Sequence, residues 1–387
     1  MSVVAAILLL FGGMAGLLGS WNAARPLIDP TKRYSPRWLP AMVVTELSPF
    51  WLLVHVAVLA VGLWAGGWSN WGGRVGTVML ALSMLLSVWI VVRSVLAIIE
   101  LRRMIGGRIH GATGRARLVG LPVTTPPGVR EAPGIVWWDR LTLDLIRPDD
   151  DRRRLPVVVY VHGGGWTGGD PQRQARDLYH TLALDGWATL AIRYPFTPHV
   201  TVEQQVATVA AAVRWARTGL GSHGIDATHV VLAGGSAGAH LATTAALAAE
   251  RDVDTVDACV GLYGVYDMAN RNGTRATWTK IRDEVMLARV SDDPDRYDEL
   301  SPLVNVTDDS PAMLIVHGER DTLVPIGEAE QFVAALHARG RPVEFVRVGG
   351  AEHAFDAVSS PVSRTTAALI RDWLRATVLA DEPTGSI

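Results

Sequence analysis

The sequence predicts an α/β fold with a mostly parallel central sheet and helices on both faces, preceded by an all-helical apolar region of about three helices. From about Ile135 onward, short apolar runs typical of buried strands alternate with longer runs typical of helices. Before about Leu101, three apolar segments are each about as long as a bilayer-spanning helix; the first two carry no charge, and the third carries only Arg93. We therefore expect an apolar transmembrane region at 1–101, a linker or interfacial cap at 102–135, an α/β domain at 136–380 and a disordered tail at 381–387.

The three apolar segments cover about 2–18, 48–67 and 75–99. Their near-continuous hydrophobicity leaves no polar face such as a surface helix of a soluble protein shows. We therefore expect membrane spans, with two rather than three as the alternative. The first segment has no Lys or Arg before its apolar run, unlike a secretory signal. Tryptophans lie near the expected span ends, as in an interfacial aromatic belt: Trp21, Trp38, Trp51, Trp64, Trp68 and Trp71.

Basic residues flank these spans asymmetrically. Between the second and third spans there is only Arg74. The other side carries Arg25, Lys32, Arg33, Arg37, Arg93, Arg102, Arg103, Arg108, Arg115 and Arg117. Because Lys and Arg accumulate in cytoplasmic loops, we expect a multi-pass membrane protein whose N-terminus lies outside and whose α/β domain lies in the cytoplasm.

The composition argues against several classes of function. The 387-residue chain has a formal net charge of −2, which gives no reason to expect a nucleic-acid partner. Its single cysteine, Cys259, excludes an internal disulfide framework, and we expect it to be a small buried residue. No His or Cys cluster has metal-ligand spacing, and no glycine loop precedes Lys-Ser or Lys-Thr. We therefore expect no metal and no other cofactor.

The α/β pattern can be followed along the chain. Strands are expected at 141–145, 157–161, 187–193, 229–233, 259–263, 312–317 and 343–348. Helices are expected at 172–184, 202–218, 237–249, 328–338 and 362–378. Segment 267–303 interrupts this rhythm with charged residues and no strand signal, so we expect an insertion that is able to cover a site.

A Gly-x-Ser-x-Gly motif, Gly234-Gly235-Ser236-Ala237-Gly238, joins the expected strand at 229–233 to the helix that follows. This is the nucleophile-elbow pattern in its strand–turn–helix context. The close backbones of such a turn tolerate little beyond Gly or Ala, and the turn exposes the serine hydroxyl in strained geometry. We expect Ser236 to be a nucleophile, although a plain turn of small residues is the alternative.

A serine hydroxyl needs a base, and the base needs an orienting acid. In this fold the acid and then the histidine follow the serine on loops after late strands. Asp321 follows the strand at 312–317, and His353 follows the strand at 343–348, so we expect them to complete a triad with Ser236. The nearby carboxylates Glu319, Glu352 and Asp356 are alternatives as acids. His337 falls in the middle of a helix, and we expect His240 to be a packing residue.

Three consecutive glycines follow the strand at 157–161 in His162-Gly163-Gly164-Gly165-Trp166. A generic turn needs fewer glycines, whereas this run lets backbone N–H groups approach a reacting oxygen. We expect the N–H groups of Gly163, Gly164 and Ala237 to form an oxyanion hole. We expect His162 to brace the loop, and Gly165 and Trp166 to contact the substrate.

With these elements, residues from about 135 to 378 resemble an α/β-hydrolase, specifically the hormone-sensitive-lipase-type carboxylesterases. That group is marked by His-Gly-Gly-Gly and by an elbow of the form Gly-Asp-Ser-Ala-Gly. The resemblance implies an α/β-hydrolase fold and an esterase with the triad and oxyanion donors named above. The chain departs from the pattern at Gly235, where the family usually has Asp, and in its apolar N-terminal helices. Its His-Gly-Gly-x-Trp form also resembles kynurenine-formamidase-like hydrolases.

These observations leave three functional hypotheses. The first is a membrane-anchored serine carboxylesterase or lipase, whose anchor suits lipid-like or membrane-dissolved esters because it concentrates enzyme and substrate together. The second is an amidase, peptidase or acyltransferase with the same triad. The third is a non-catalytic ligand-binding member of the fold, which is disfavoured because Ser236, Asp321 and His353 are all retained.

Overall fold

The computed structural model describes residues 2–25, 36–106, 124–248, 255–275 and 279–380. Within these ranges the α-helices are α1 (Ser2–Ala24), α2 (Trp38–Glu46), α3 (Ser48–Trp64), α4 (Trp71–Gly106), α5 (Arg176–Leu184), α6 (Val202–Thr218), α7 (Ala237–Leu247), α8 (Pro294–Glu299), α9 (Gly327–Ala338) and α10 (Pro361–Val378). The strands are β1 (Val129–Trp138), β2 (Leu141–Pro148), β3 (Arg154–Val161), β4 (Ala188–Ile192), β5 (Asp226–Gly235), β6 (Ala258–Leu262), β7 (Ala312–Gly318) and β8 (Val343–Val348).

All eight strands form one sheet in the order β1-β2-β4-β3-β5-β6-β7-β8. Strands β3 to β8 pair in parallel, whereas β1 with β2 and β2 with β4 pair antiparallel. The expected mostly parallel sheet with helices on both faces is therefore confirmed. The carboxyl ends of β3, β5, β7 and β8 meet at one edge of this sheet, which is where such folds place their sites.

The alternation of side chains along β3 explains the two layers of helices. Val157 and Val159 face one core, shared with α6, α7 and α9, while Val158 and Tyr160 face the other, shared with α5 and α10. All four side chains are buried. A continuous Val-rich run is thus the sequence of a strand that is covered on both faces.

The N-terminal helical region (residues 2–25 and 36–106) is a bundle in which α1 and α4 run parallel and α3 runs antiparallel to them. Glycines allow this close packing, because a Cβ at Gly76 would collide with the backbone of Leu9, and a Cβ at Gly13 with the carbonyl oxygen of Gly76. Within the bundle, Ser20 Oγ lies 2.9 Å from Ser83 Oγ. Small residues and paired hydroxyl groups are typical of helix contacts in apolar surroundings.

Two helices of this region, α1 and α4, are long and apolar enough to cross a membrane, and a third span results if α2 and α3, which meet at a bend of 84°, are counted as one. Helix α1 extends beyond the expected 2–18, and α3 ends before the expected 67. Many of the region's large apolar side chains face outward, among them Trp64 at 84% exposure and Leu85 at 68%.

The segment expected as a linker, 102–135, differs from the observed elements at both ends. Helix α4 runs on to Gly106, and Leu101 near its end is 1% exposed because it packs into the core beside α10. Strand β1 already begins at Val129, and it pairs with β2 and forms one edge of the sheet. Residues 107–123 of the expected linker and the expected tail at 381–387 lie outside the described residues.

Candidate active site

Ser236 lies at the sharp turn between β5 and α7. Its backbone has φ 56° and ψ −121°, a conformation that non-glycine residues rarely adopt. The flanking glycines are required, because a Cβ at Gly234 would collide with the carbonyl oxygen of Gly238, and one at Gly238 with that of Val161. The structure therefore has the strained, tightly packed turn that the motif predicts, with the serine at the start of a helix.

The structure brings together the three residues expected to form a triad. His353 Nε2 lies 2.9 Å from Ser236 Oγ, and His353 Nδ1 lies 2.7 Å from Asp321 Oδ2. Asp321 and His353 are buried, and Ser236 is half-buried. An unbroken series of hydrogen bonds thus links the hydroxyl, through the imidazole, to the carboxylate.

Asp321 is held by groups beyond the histidine. Its Oδ1 accepts hydrogen bonds from the backbone N–H of Leu323 at 3.0 Å and of Val324 at 2.7 Å, while His317 Nε2 lies 3.2 Å from its Oδ2. Burial alone would raise the pKa of Asp321, but the opposing charge of His353 and the hydrogen bonds from His317 and His353 bring the pKa below its usual value. This carboxylate is therefore held in its charged form.

The other candidate acids bond elsewhere. Glu352 Oε1 accepts from the backbone N–H of Thr322 at 2.6 Å and of His353 at 3.0 Å, so it contacts the backbone of the histidine rather than its ring. Burial, followed by repulsion from Asp321, raises the pKa of Glu352 to about 7. Asp356 accepts a hydrogen bond from the Tyr263 hydroxyl, and burial raises its pKa to about 6.

The glycine loop lies against the elbow, but only some of the expected oxyanion N–H groups already have a hydrogen-bond acceptor. Gly163 N–H donates to Gln174 Oε1 at 2.7 Å, and Gln174 Nε2 donates back to the Gly163 carbonyl at 3.2 Å. The expected oxyanion donor Gly163 therefore already has an acceptor. Within the described part of the chain, the N–H groups of Gly164 and Ala237 have none, and Gly164 is exposed. These two N–H groups are therefore available as hydrogen-bond donors.

Trp166 does not lie where a wall of the substrate cleft was expected. Its side chain is 1% exposed and donates from Nε1 to His240 Nδ1 at 3.1 Å, and His240 Nε2 lies 2.7 Å from the Leu300 carbonyl oxygen. The backbone of Trp166 has φ 63°, and its indole packs in the core. Gly165 stays half-buried, with Lys280 Nζ close to the position that a Cβ would occupy. Trp166 and His240 thus support the loop from below.

His162 lies below the same loop, as expected of a brace. Its Nδ1 is 2.8 Å from the Gly163 carbonyl oxygen, and its ring stacks on Tyr194 at 4.5 Å. Burial lowers the pKa of His162 to about 4, so the imidazole is neutral near pH 7.

Three contributors were missed at the level of the sequence. Gln174 holds the glycine loop, and His317 holds the acid from four residues upstream of Asp321. Tyr263 explains the departure at Gly235, because its hydroxyl oxygen lies 2.7 Å from where a Cβ at that position would be. A glycine in a place where the family has a larger residue signals that a neighbour occupies the space, but it does not identify the neighbour.

Comparisons with known proteins agree with this architecture. The family model described as BD-FAE matches residues 143–336, half of the chain. The chain belongs to the BD-FAE family. It is 34% identical over 245 residues to "Esterase LipQ" of Mycobacterium tuberculosis and 33% identical over 241 residues to "Esterase LipC" of the same organism, which is 60% and 59% of this chain. A solved esterase from Rhizomucor miehei shares the fold, with a TM-score of 0.55 and 22% identity over 73% of this chain and 97% of that one.

The matches to curated relatives are partial. They cover 58% of LipQ and 60% of LipC. The BD-FAE match begins at residue 143, after the N-terminal helical region. Among the described residues, no group of three or more His, Cys, Asp or Glu side chains is placed to hold a metal ion.

Proposed function

We propose that this protein is a membrane-anchored serine hydrolase that cleaves carboxylic esters through an acyl-enzyme. The observation that carries the proposal is the hydrogen-bonded series Ser236–His353–Asp321, with N–H groups that lack an acceptor on the adjoining glycine loop (Gly164) and at the start of the following helix (Ala237). A nucleophile, its base, the orienter of that base and an oxyanion site are the parts that acyl transfer requires.

In the first half of the reaction, Ser236 Oγ attacks the ester carbonyl carbon as His353 Nε2 takes the hydroxyl proton. Negative charge develops on the carbonyl oxygen, where the N–H groups of Gly164 and Ala237 donate to it. Asp321 accepts from His353 Nδ1 and stabilises the imidazolium. The C–O bond to the alcohol then breaks, and His353 returns the proton to the departing alkoxide.

In the second half, His353 takes a proton from water, and the resulting hydroxide adds to the acyl carbon. The same two N–H groups bind the oxyanion again. Collapse breaks the bond to Ser236, and the serine recovers its proton from His353 while the carboxylic acid leaves. Water is the only co-reactant in this cycle.

Esters are favoured over amides by the names of the relatives, since LipQ and LipC are both named as esterases. The triad itself does not select between an ester and an amide. The amidase and acyltransferase alternatives therefore become outcomes of the substrate test below.

We further propose that α1, α3 and α4 cross the membrane, with α2 joined to α3 at the bend, and that the α/β domain (the described residues from 124 to 380) lies in the cytoplasm. The apolar length of the helices supports the spans, and the basic residues on the α/β side, such as Arg25, Arg93 and Arg103, support the orientation. Protease added to inside-out vesicles should digest the α/β domain, and its protection there would reverse the orientation.

The function is tested with p-nitrophenyl esters of increasing chain length, p-nitroanilide analogues and alcohol acceptors, using detergent-solubilised wild type and Ser236→Ala. We expect ester hydrolysis by the wild type, an acyl-enzyme mass on the peptide that contains Ser236 after acid quench, and neither in the variant. Faster turnover of the anilides would favour an amidase, and transfer to alcohols in preference to water would favour an acyltransferase. A folded wild type that reacts with none of them would contradict the proposal.

A further inference from the structure

Helix α2 lies between the apolar helices α1, α3 and α4 and the loop that carries His353. At its N-terminal end, the Trp38 indole meets the His353 ring edge-on, with centroids 5.4 Å apart and planes at 87°. At its C-terminal end, Glu46 Oε2 accepts a hydrogen bond from Ser360 Oγ at 2.6 Å. Both ends of α2 are thus attached to the α/β domain around the candidate active site.

The length of helix α4 indicates where α2 and the His353 loop lie relative to a bilayer. It has 36 residues, so it is about 54 Å long, whereas the hydrocarbon core of a bilayer is about 30 Å thick. Trp71, at its start, is 77% exposed, as an interfacial anchor would be. From Trp71, about 20 residues of helix cross the core, which brings the opposite interface close to Arg93, the first basic residue of α4 after Arg74.

The loop before His353 touches α4 at this level. A Cβ at Gly350 would lie 3.1 Å from the Arg93 guanidinium, and one at Gly349 would lie 3.4 Å from Ala97. Thr45 of α2, Arg93 and Gly350 line the same small cavity. His353, three residues after Gly350, therefore lies close to the height of the membrane surface.

The orientation and composition of α2 suit a helix that rests on that surface. It meets α3 at a bend of 84°, so it runs nearly perpendicular to the span that follows it. Its exposed positions are all apolar, namely Leu39, Pro40 and Val43. An apolar outer face on a helix that lies in the interface plane inserts among lipid headgroups and upper acyl chains.

We propose that α2 is a membrane-surface helix bordering the entrance to Ser236, and that the substrates are esters dissolved in the bilayer, which reach the serine past Trp38. The inference rests on the proposed membrane-anchored esterase and specifies its substrate class. The apolar chain of the ester stays among the lipids along Leu39 and Val43 while its carbonyl group enters the site. Trp38 is then a positioning residue that offers an apolar edge beside the imidazole.

The test compares two esters in phosphatidylcholine proteoliposomes. One is water-soluble p-nitrophenyl acetate, and the other is 4-methylumbelliferyl oleate dissolved in the vesicles. The variant Val43→Asp places a charge on the outer face of α2. Val136→Asp is the matched control, because Val136 is an exposed valine on β1, at the sheet edge opposite β8.

We expect Val43→Asp to lower the ratio of oleate to acetate hydrolysis by about tenfold, because a charged face inserts poorly into the interface. Val136→Asp should leave the ratio unchanged. Trp38→Ala should raise the KM for the oleate ester more than for the acetate, and Trp38→Phe should restore most of the difference. Equal ratios in wild type, Val43→Asp and Trp38→Ala would overturn the inference.

Fluorophosphonate labelling of Ser236 checks that each variant retains a folded site, and Leu39→Asn replaces Val43→Asp if that variant is not labelled. An equal ratio in a labelled Leu39→Asn would likewise count against the inference. If the wild type hydrolyses the acetate normally and the α2 variants keep its oleate-to-acetate ratio, only the proposed entrance along α2 is contradicted. A wild type that hydrolyses neither ester contradicts the proposed function itself.

Discussion

The N-terminal helical region and the α/β domain differ in how exposed their tryptophans are. In the α/β domain, Trp166 is 1% exposed and Trp187 is 0% exposed, each enclosed by protein. In the N-terminal helical region, Trp64 is 84% exposed and Trp71 is 77% exposed. The α/β domain also has an outward tryptophan, Trp138 at 44%, but the many outward apolar side chains of the helical region are typical of a region that is surrounded by an apolar medium. In the proposed membrane-anchored protein this medium is lipid, and Leu101 of α4 also packs into the core of the α/β domain.

The contrast also concerns where the chemistry lies. Ser236, Asp321 and His353 all belong to the α/β domain, whereas the helical region contributes Trp38 from outside. Four substitutions test this division of roles. Their expected effects range from a large loss of catalysis to a small change in pH-dependent stability.

Asp321→Asn should have the largest effect. Asparagine cannot stabilise the imidazolium and favours the wrong tautomer of His353, so we expect kcat to fall by about 10⁴-fold, with membrane association unchanged. The control is Glu319→Gln, an exposed residue of the same loop. Steady-state kinetics on a p-nitrophenyl ester measures both, and a loss below tenfold in Asp321→Asn would remove Asp321 from its assigned role.

Leu101→Ala tests whether the two regions are independent. The side chain of Leu101 is 1% exposed and packs in the core beside α10, so its truncation should cost about 2–5 kcal/mol of unfolding free energy. Thermal unfolding in detergent measures the loss. Leu96→Ala, on the same helix but 59% exposed, is the matched control and should cost little. Equal stability in both variants would show that α4 does not stabilise the α/β domain.

Gln174→Ala should have a smaller effect on catalysis, because Gln174 positions the glycine loop without touching a substrate. Loss of its two bonds to Gly163 should lower kcat about tenfold, less than the 10²–10³-fold expected for removing an oxyanion donor, and leave KM nearly unchanged. Gln174→Glu retains the acceptor for the Gly163 N–H but loses the donor, so its kcat should be intermediate. Wild-type kcat in Gln174→Ala would mean that the loop holds its conformation without this clamp.

Glu352→Gln should have the smallest effect, seen in the pH dependence of stability. Burial and the nearby Asp321 raise the pKa of Glu352 from 4.5 to about 7, so the folded state prefers the neutral acid. The stability that this provides is present at acidic pH and is lost as the pH rises towards and through 7. We expect the Tm of the wild type to fall between pH 5 and pH 8. In Glu352→Gln this fall should be smaller by about 3–6 °C. Parallel Tm curves would exclude a titrating Glu352.

The parts of this architecture that depend on local sequence could be predicted. The Val-rich run of β3 predicts a strand buried on both faces, and the glycines around Ser236 predict a turn in which no Cβ fits. The order of Asp321 and His353 along the chain follows from their positions after late strands. Each of these features leaves a pattern that can be recognised within a few residues of the chain.

Contacts that depend on tertiary packing could not be predicted. Whether Gly163 N–H is free depends on the side chain of Gln174, and the burial of Trp166 depends on a hydrogen bond to His240, far along the chain. The contact of Trp38 with His353 joins opposite ends of the sequence. The sequence places Trp38 only near the end of an expected span, because no sequence pattern identifies the residue that it contacts in the fold.

The central claim is that an activated serine resides in a chain held by the bilayer. Its most direct test is fluorophosphonate labelling of carbonate-washed membranes that contain the wild type or Ser236→Ala, followed by mapping of the labelled peptide. We expect the wild type to remain in the membrane pellet with its label on Ser236, and the variant to remain in the pellet without label. Release of the wild type into the wash would contradict the anchor, and label on another residue, or no label on a folded wild type, would contradict the activated serine.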